Sequence, residues 1–329
     1  MAYPGPRRSS RLQPPHGSVP PISHEMGPNP LTSVRRFCLQ VLERGDLESK
    51  LAPPLGPDGG PLPDDDRAPA PPIRRPARAP GLRMTSGSER LPRPGLLRDP
   101  AQRVRCLARF AHHELMAVEL FAWALLRWPD APDGLRRGLL GALADEQRHC
   151  RLYLDRLTAH GGRFDTDDHS DYFWRQLPAI EASPHGPRAF LAAMGLTLEQ
   201  ANLDFTLTYR DGFAAAGDAE SARVCQIVHD DEIGHVALAA RWMDRLGGLE
   251  TRADDLDLYL DAVPFPLGAA RAKGRRFETE PRRRAGLSER MIEFVRRARS
   301  PQELRATHRA ATAARAPAPR PPSASSESD

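Results

Sequence analysis

Two short strings in this chain place a glutamate and a histidine three residues apart inside an otherwise apolar helical face. In 144–157, "ADEQRHCRLYLDRL", helical spacing aligns Leu139, Leu143, Glu146, His149, Cys150, Tyr153 and Leu157 on one stripe. In 229–243, "HDDEIGHVALAARWM", the stripe is Cys225, Val228, Glu232, His235, Ala239, Trp242 and Leu246. Glu-x-x-His occurs at these two places only. Side chains at i and i+3 project to the same side of a helix, so each pair can grip one ion. A buried carboxylate with no partner is very costly, which makes a bound cation the natural resident of such a face. The duller reading, surface salt bridges with arginine, fits poorly with two pairs that both fall in apolar stripes.

A dinuclear site between helices needs one more carboxylate from each of two further helices. Ahead of each pair, two acids stand within a long helical pattern: Glu114 and Glu119 in "HHELMAVELFAWALLRW", and Glu199 and Asp204 in "LTLEQANLDFTLTYRDGF". Depth chooses between them. Glu146 lies about 20 Å along its helix from the turn at Asp133, Glu114 lies about 21 Å from the same turn at Trp128, and Glu119 would be about 8 Å too shallow. In the second hairpin Glu199 stands 13 residues before Gly212 and Glu232 stands 14 after Asp218. Aligning Glu114 with Glu199 also superposes Glu119 on Asp204, so the two hairpins read as a duplication. The expected ligands are therefore Glu114, Glu146, His149, Glu199, Glu232 and His235. Their four carboxylates cancel two divalent ions. Mixed carboxylate and imidazole ligation suits a pair of transition-metal ions, with iron the first expectation and manganese the alternative.

Neighbouring residues have supporting roles in this scheme. Asp145 and Asp231 each precede the histidine of their own helix by four residues and are placed to accept its outer N–H, fixing the tautomer. Tyr153, Asn202, Thr206 and Tyr209 share faces with ligands and could line a cavity, although core packing explains Tyr153 equally well. His112 and His113 fall off the Glu114 face and read as structural histidines; Trp123 and Trp242 read as packing residues.

The elements that must carry these residues are four helical patterns, at about 100–128, 133–160, 187–212 and 218–246, with no convincing strand between them. The fold class is all-α: a four-helix bundle of two helical hairpins over 100–247. Residues 1–30 are Pro-rich and expected to be disordered, 31–51 form an amphipathic helix with Val34, Phe37, Cys38, Val41 and Leu42 on one side, and 52–99 run as an extended wrap. After the bundle, 248–300 hold a short helix near 254–261, an extended "VPFPLGAARAKG" and a helix near 287–299; 301–329 form a disordered tail.

Composition narrows the function classes. Residues 101–247 carry 16 arginines against 21 acidic residues, whereas 271–320 carry 15 basic against 5 acidic. The basic C-terminal segment lacks the interleaved aromatics that stack bases, so nucleic acid is not an expected partner. The chain has 45 arginines and only two lysines, Lys50 and Lys273, a bias that looks genome-wide rather than functional. Cys38, Cys106, Cys150 and Cys225 form neither C-x-x-C nor a regular spacing, which points to reduced thiols rather than a disulfide framework or zinc ribbon. The longest apolar stretch, Leu120–Leu126, is far too short to span a bilayer, and no apolar run follows the basic start. A cytoplasmic protein without a membrane partner is expected.

Taken together, these strings resemble the ferritin-like superfamily of di-iron carboxylate proteins. "DEQRH" at 145–149 is similar to the D-E-x-R-H signature of bacterial di-iron monooxygenases. "FAHHELMAVELFAWALLRWPDAP", "LADEQRHCRLYLDRL", "LTLEQANLDF", "HDDEIGHV" and "PFPLGAARAKG" together resemble the uncharacterised family called domain of unknown function 455, over about residues 31–300. The resemblance implies the ferritin-like fold and the same six ligands; it supplies no reaction. A more distant likeness to the tRNA-modifying hydroxylase branch hints at hydroxylation. At "DEIGH" the chain departs from the monooxygenase pattern, because Gly234 stands in place of arginine. An Arg148–Asp231 pair across helices is then expected, with no symmetric counterpart for Asp145. Three functions stay open: an O2-activating oxidase or hydroxylase with a small-molecule substrate and an electron donor, a ferroxidase or iron-storage protein, and a non-catalytic bundle stabilised by its metals. The long flanks favour the first, and a monomer or small homo-oligomer over a closed cage.

Overall fold

The structure is a computed structural model and describes residues 31–86, 90–165, 169–247 and 254–300. The segments expected to be disordered, 1–30 and 301–329, lie outside the described residues.

The molecule is all-α and its helices start where the sequence supplies caps. Ser33 caps α1 (Val34–Glu43), accepting from the Arg36 N–H, and buries Val34, Phe37, Cys38, Val41 and Leu42 as the stripe requires. The expected single helix over 31–51 is broken in two. At Gly45 the chain passes so close to residues 78–79 that a Cβ would lie 2.8 Å from the Ala79 nitrogen, and Ala79 N–H donates to the Gly45 carbonyl. Asp46 then caps a separate α2 (Leu47–Leu51). The wrap that follows includes one two-residue strand, β1 (Met84–Thr85), paired in parallel with β2 (His169–Ser170). Strands this short show no alternation in sequence, which is why 100–247 reads as strandless.

Two long helices come next, α3 (Pro100–Arg127), with Pro100 at its first position behind the Asp99 cap, and α4 (Asp133–Ala159). A short α5 (Leu177–Glu181) leads to α6 (Pro187–Ala193), a π-helical turn (Met194–Glu199) and α7 (Gln200–Ala215), which together make the third long element. The fourth is α8 (Ala219–Gly247). α3 runs along α4, α7 runs along α8, and α4 meets α8 between the pairs. The flanks pack on this assembly. α1 lies on α3; α9 (Asp255–Ala262) lies on α8 and α6; α10 (Thr279–Arg284) lies on α7 and α8; α11 (Glu289–Arg297) lies on α9 and α10.

The apolar core falls into two clusters rather than one. On α3 they divide between Leu115 and Met116, on α4 between Leu143 and Cys150, and on α8 between Val228 and Ile233. Those divisions fall where the glutamates and histidines stand. No helix among the described residues is long and apolar enough to cross a membrane, and all four cysteines are buried free thiols.

Candidate metal centre

All six residues singled out by spacing converge. Donor atoms of Glu114, Glu146, His149 and Glu232 lie within 4.8 Å of one another, and so do those of Glu146, Glu199, Glu232 and His235. The two quartets share Glu146 and Glu232. All six side chains are buried, with Glu146, His149 and Glu232 at 0% exposure. Each imidazole turns Nδ1 inward: His149 Nδ1 is 3.5 Å from Glu146 Oε2, and His235 Nδ1 is 3.0 Å from Glu146 Oε1 and 3.3 Å from Glu232 Oε2.

Local structure explains how the third helix delivers its carboxylate. Glu199 closes the π-helical turn, where one extra residue per turn shifts the side-chain register against the straight part of the helix. The turn can approach α8 because Gly195 lies against Ala239; a Cβ on Gly195 would stand 2.2 Å from the Ala239 Cβ.

Among the described residues none of the four glutamates has a lysine or arginine ion partner. Both Glu146 oxygens and His149 Nδ1 are buried without a hydrogen-bond partner. Burial, reinforced by Glu146, raises the Glu114 carboxyl well above the usual range, and burial with Glu232 does the same to Glu199. Burial would raise Glu146 too, but the flanking His149 and His235 outweigh it and hold that carboxyl low. The histidines respond in kind. Burial opposes their charged form, yet Asp231 and Glu146 bring His149 up to about 9, and Asp145 with Glu146 raises His235. Buried carboxylates and imidazoles that face one another, with no lysine or arginine among them, fit a pair of hard-to-borderline transition-metal ions.

The outer side of the site differs from expectation. Asp145 and Asp231 do orient histidines, but across the helix pair: His149 Nε2 meets Asp231 Oδ2 at 3.0 Å and His235 Nε2 meets Asp145 Oδ2 at 3.4 Å. Four residues on one helix put the aspartate beside its own histidine, whereas the outer nitrogen points over to the facing helix. Arg148 donates to both aspartates, at 2.8 and 2.9 Å, so Asp145 keeps an arginine partner despite Gly234. One guanidinium between the helices serves both halves. Asn202 donates to Glu232 Oε1 at 2.8 Å and reaches Glu199 Oε2 at 3.3 Å, holding two of the glutamates in place.

The remaining candidates surround the cluster. Tyr153 is buried with its hydroxyl 4.0 Å from Cys225 Sγ. Thr206 bonds His229 Nδ1, and the Tyr209 hydroxyl donates to the Pro92 carbonyl. His112 is structural, its Nε2 2.7 Å from the Ser170 carbonyl oxygen and its ring stacked on His169. Trp123 and Trp242 pack in the core. Glu119 stays out of the cluster, as its depth requires: it is buried between Lys50 Nζ and Arg78 Nη2, each at 2.8 Å, and accepts from Trp174 Nε1.

Beside the cluster opens a cavity of about 410 Å³, lined as expected by Tyr153, Asn202 and Thr206 but not by Tyr209. Glu114, Glu199 and Asn202 line it at the buried end, with Tyr153, Thr206, Phe110, His113, Ala117 and Leu198 around them. Its walls come from three distant stretches, including Tyr172 and Phe173 before α5 and Arg271 and Lys273 before α10.

Residues 40–293 match the model of the family described as Protein of unknown function (DUF455), and the chain belongs to that family. No curated protein and no solved structure matches it.

Proposed function

We propose that this chain is a ferritin-like four-helix bundle holding two transition-metal ions, iron or manganese, and that it acts as an O2-activating oxidase or hydroxylase on a small organic molecule. What carries the reading is the convergence of four buried glutamates and two histidines, in two overlapping quartets, with no lysine or arginine among them. Such metals, when reduced, supply the electrons that activate O2, and an external donor must replace them. The chain's own residues hold the site ready. Asp145 and Asp231 accept from the outer imidazole nitrogens and so leave Nδ1 free to ligate. Asn202 fixes Glu199 and Glu232. The cavity at Glu114 and Glu199 has the size of a small-molecule site, roughly 300 Å³ or more.

The flanks favour an enzyme over a storage shell, because α1, α9 and α10 cover helix faces that a cage subunit would offer to its neighbours. A monomer or small oligomer follows. The test is to load the protein with iron anaerobically, reduce it, and record O2 uptake together with particle size. The expected result is O2 consumption by a small particle that never accumulates iron beyond its two sites. Large shells rich in iron would restore the storage reading, and a metal-loaded protein inert to O2 would leave a structural bundle.

A further inference from the structure

The cavity beside the cluster is polarised. At its buried end stand Glu114 and Glu199, only 7% and 4% exposed; at its open end stand Arg271, exposed, and Lys273, half-buried. Between them the wall is mostly apolar, with Leu91, Phe110, Ala117, Phe173, Leu198 and Phe205, and carries the polar His113, Ser170 and Thr206 as well. Phe205 is 38% exposed, unusual for a phenylalanine with a core within reach, and it lies at the open end of this wall.

Arg271 is held in place without being neutralised. Its Nη1 donates to the Tyr172 hydroxyl and its guanidinium lies over the Tyr172 ring, 5.6 Å from the centroid. Among the described residues it has no carboxylate partner, whereas nearby Arg276, Arg282 and Arg283 all do. A tyrosine that positions a guanidinium while leaving its charge intact prepares it for an external anion. Lys273, tied to the Arg296 carbonyl, lines the same side of the cavity.

Both walls of the opening are anchored by buried ion pairs. Asp204 accepts from Gly274 N–H at 2.9 Å and Glu278 N–H at 2.8 Å and pairs with Arg282, which fixes the segment carrying Arg271 and Lys273. Glu119 accepts from Trp174, which fixes the segment carrying Tyr172 and Phe173. The cationic rim is thus a built feature of the fold.

We infer that the cavity takes an amphipathic anion: a carboxylate or phosphate head on Arg271 at the rim, and an apolar aliphatic or aryl body running inward to Glu114 and Glu199. The inference rests on the proposed function for what happens at the inner end, since it presents a C–H-rich end, not the head, to the metals. It does not rest on it for binding, because the rim and walls contain no metal ligand.

Binding is therefore measured on metal-free and metal-loaded protein side by side, by isothermal titration calorimetry with decanoate, decyl phosphate, 1-decanol and decylammonium. Both anions should bind tighter than 1-decanol by about tenfold, the worth of one charge-assisted hydrogen bond, with decylammonium weakest. Whichever anion binds tighter names the head group. Arg271→Met should remove the preference for anions while leaving 1-decanol binding unchanged. Phe205→Glu, a second exposed change that leaves the guanidinium intact, should weaken both anions. Equal binding of anions and alcohol, or an Arg271→Met variant that keeps the preference, would overturn the inference. Metal content is read on the loaded samples: anion preference in a protein that takes up no metal on loading sinks the dinuclear reading alone, and two metals with no anion preference sinks this one alone.

Discussion

Glu114 and Glu199 each have a buried acidic neighbour five residues on, Glu119 and Asp204, and the two layers differ in what faces them. Glu119 meets Lys50, Arg78 and Trp174; Asp204 meets Arg282 through both oxygens and two backbone N–H groups. Each carboxylate in that layer is paired with a lysine or arginine of the chain. In the upper layer four glutamates face one another and two histidines, with no lysine or arginine. Acids in both layers are buried alike, so burial alone does not mark a metal site. Acids and histidines that face one another with no lysine or arginine do. The paired layer has its own task, since Glu119 ties down the N-terminal wrap and Asp204 the C-terminal flank, and these two flanks shape the cavity next to the upper layer.

The contrast is sharpest in paired substitutions of metal-free protein. Glu119→Gln leaves Lys50 and Arg78 buried without their anion and should cost about 3–5 kcal/mol in urea unfolding. Glu114→Gln removes a carboxyl that burial already keeps protonated, so it should cost nothing or stabilise. Equal losses at the two positions would erase the distinction between the layers.

The pH response should also separate the layers. Glu114 and Glu199 have folded-state values raised above the unfolded one, so the metal-free fold binds more protons than the unfolded chain. Its stability should fall as pH rises from the ordinary glutamate range through those raised values. Metal binding must displace the same protons, so affinity should climb over that interval with proton release, seen as a buffer-dependent heat in calorimetry. A pH-independent affinity would mean that these carboxylates are not ligands.

The smallest expected effect lies outside both layers. Arg148→Ala frees Asp145 and Asp231, which still reach the histidines, and should lower metal affinity by about tenfold without unfolding the protein. A competition titration against a chelator checks it, and an unchanged affinity would leave Arg148 as a surface residue only.

Much of this is legible in the sequence, for physical reasons. The long helices show because each carries several turns of a 3.6-residue stripe, and Glu146, His149, Glu232 and His235 show because they interrupt such stripes. Glu114 and Glu199 follow from rise per residue, and the same reckoning excludes Glu119. What is hidden depends on geometry between helices or between distant segments. The crossing of Asp145 and Asp231 to the opposite histidines needs the facing angle of α4 and α8. The Lys50–Glu119 pair joins residues 69 positions apart through a wrap with no periodicity. The cavity is assembled from stretches around Leu91, Tyr172 and Arg271, none of which carries a motif. The break at Gly45 depends on a strand of chain passing over it.

The central claim, that the layer without lysine or arginine is a dinuclear metal site, is tested most directly by metal content in Glu114→Ala and Glu119→Ala. Both variants and the unaltered chain are loaded with iron or manganese, gel-filtered and analysed by plasma mass spectrometry, with circular dichroism to confirm that the helices remain. The unaltered chain should hold about two ions, as the six-ligand dinuclear bundle does. Glu114→Ala should lose metal, and Glu119→Ala should keep it while becoming less stable. Metal lost at Glu119 and kept at Glu114, or none bound by the unaltered chain, would contradict the assignment.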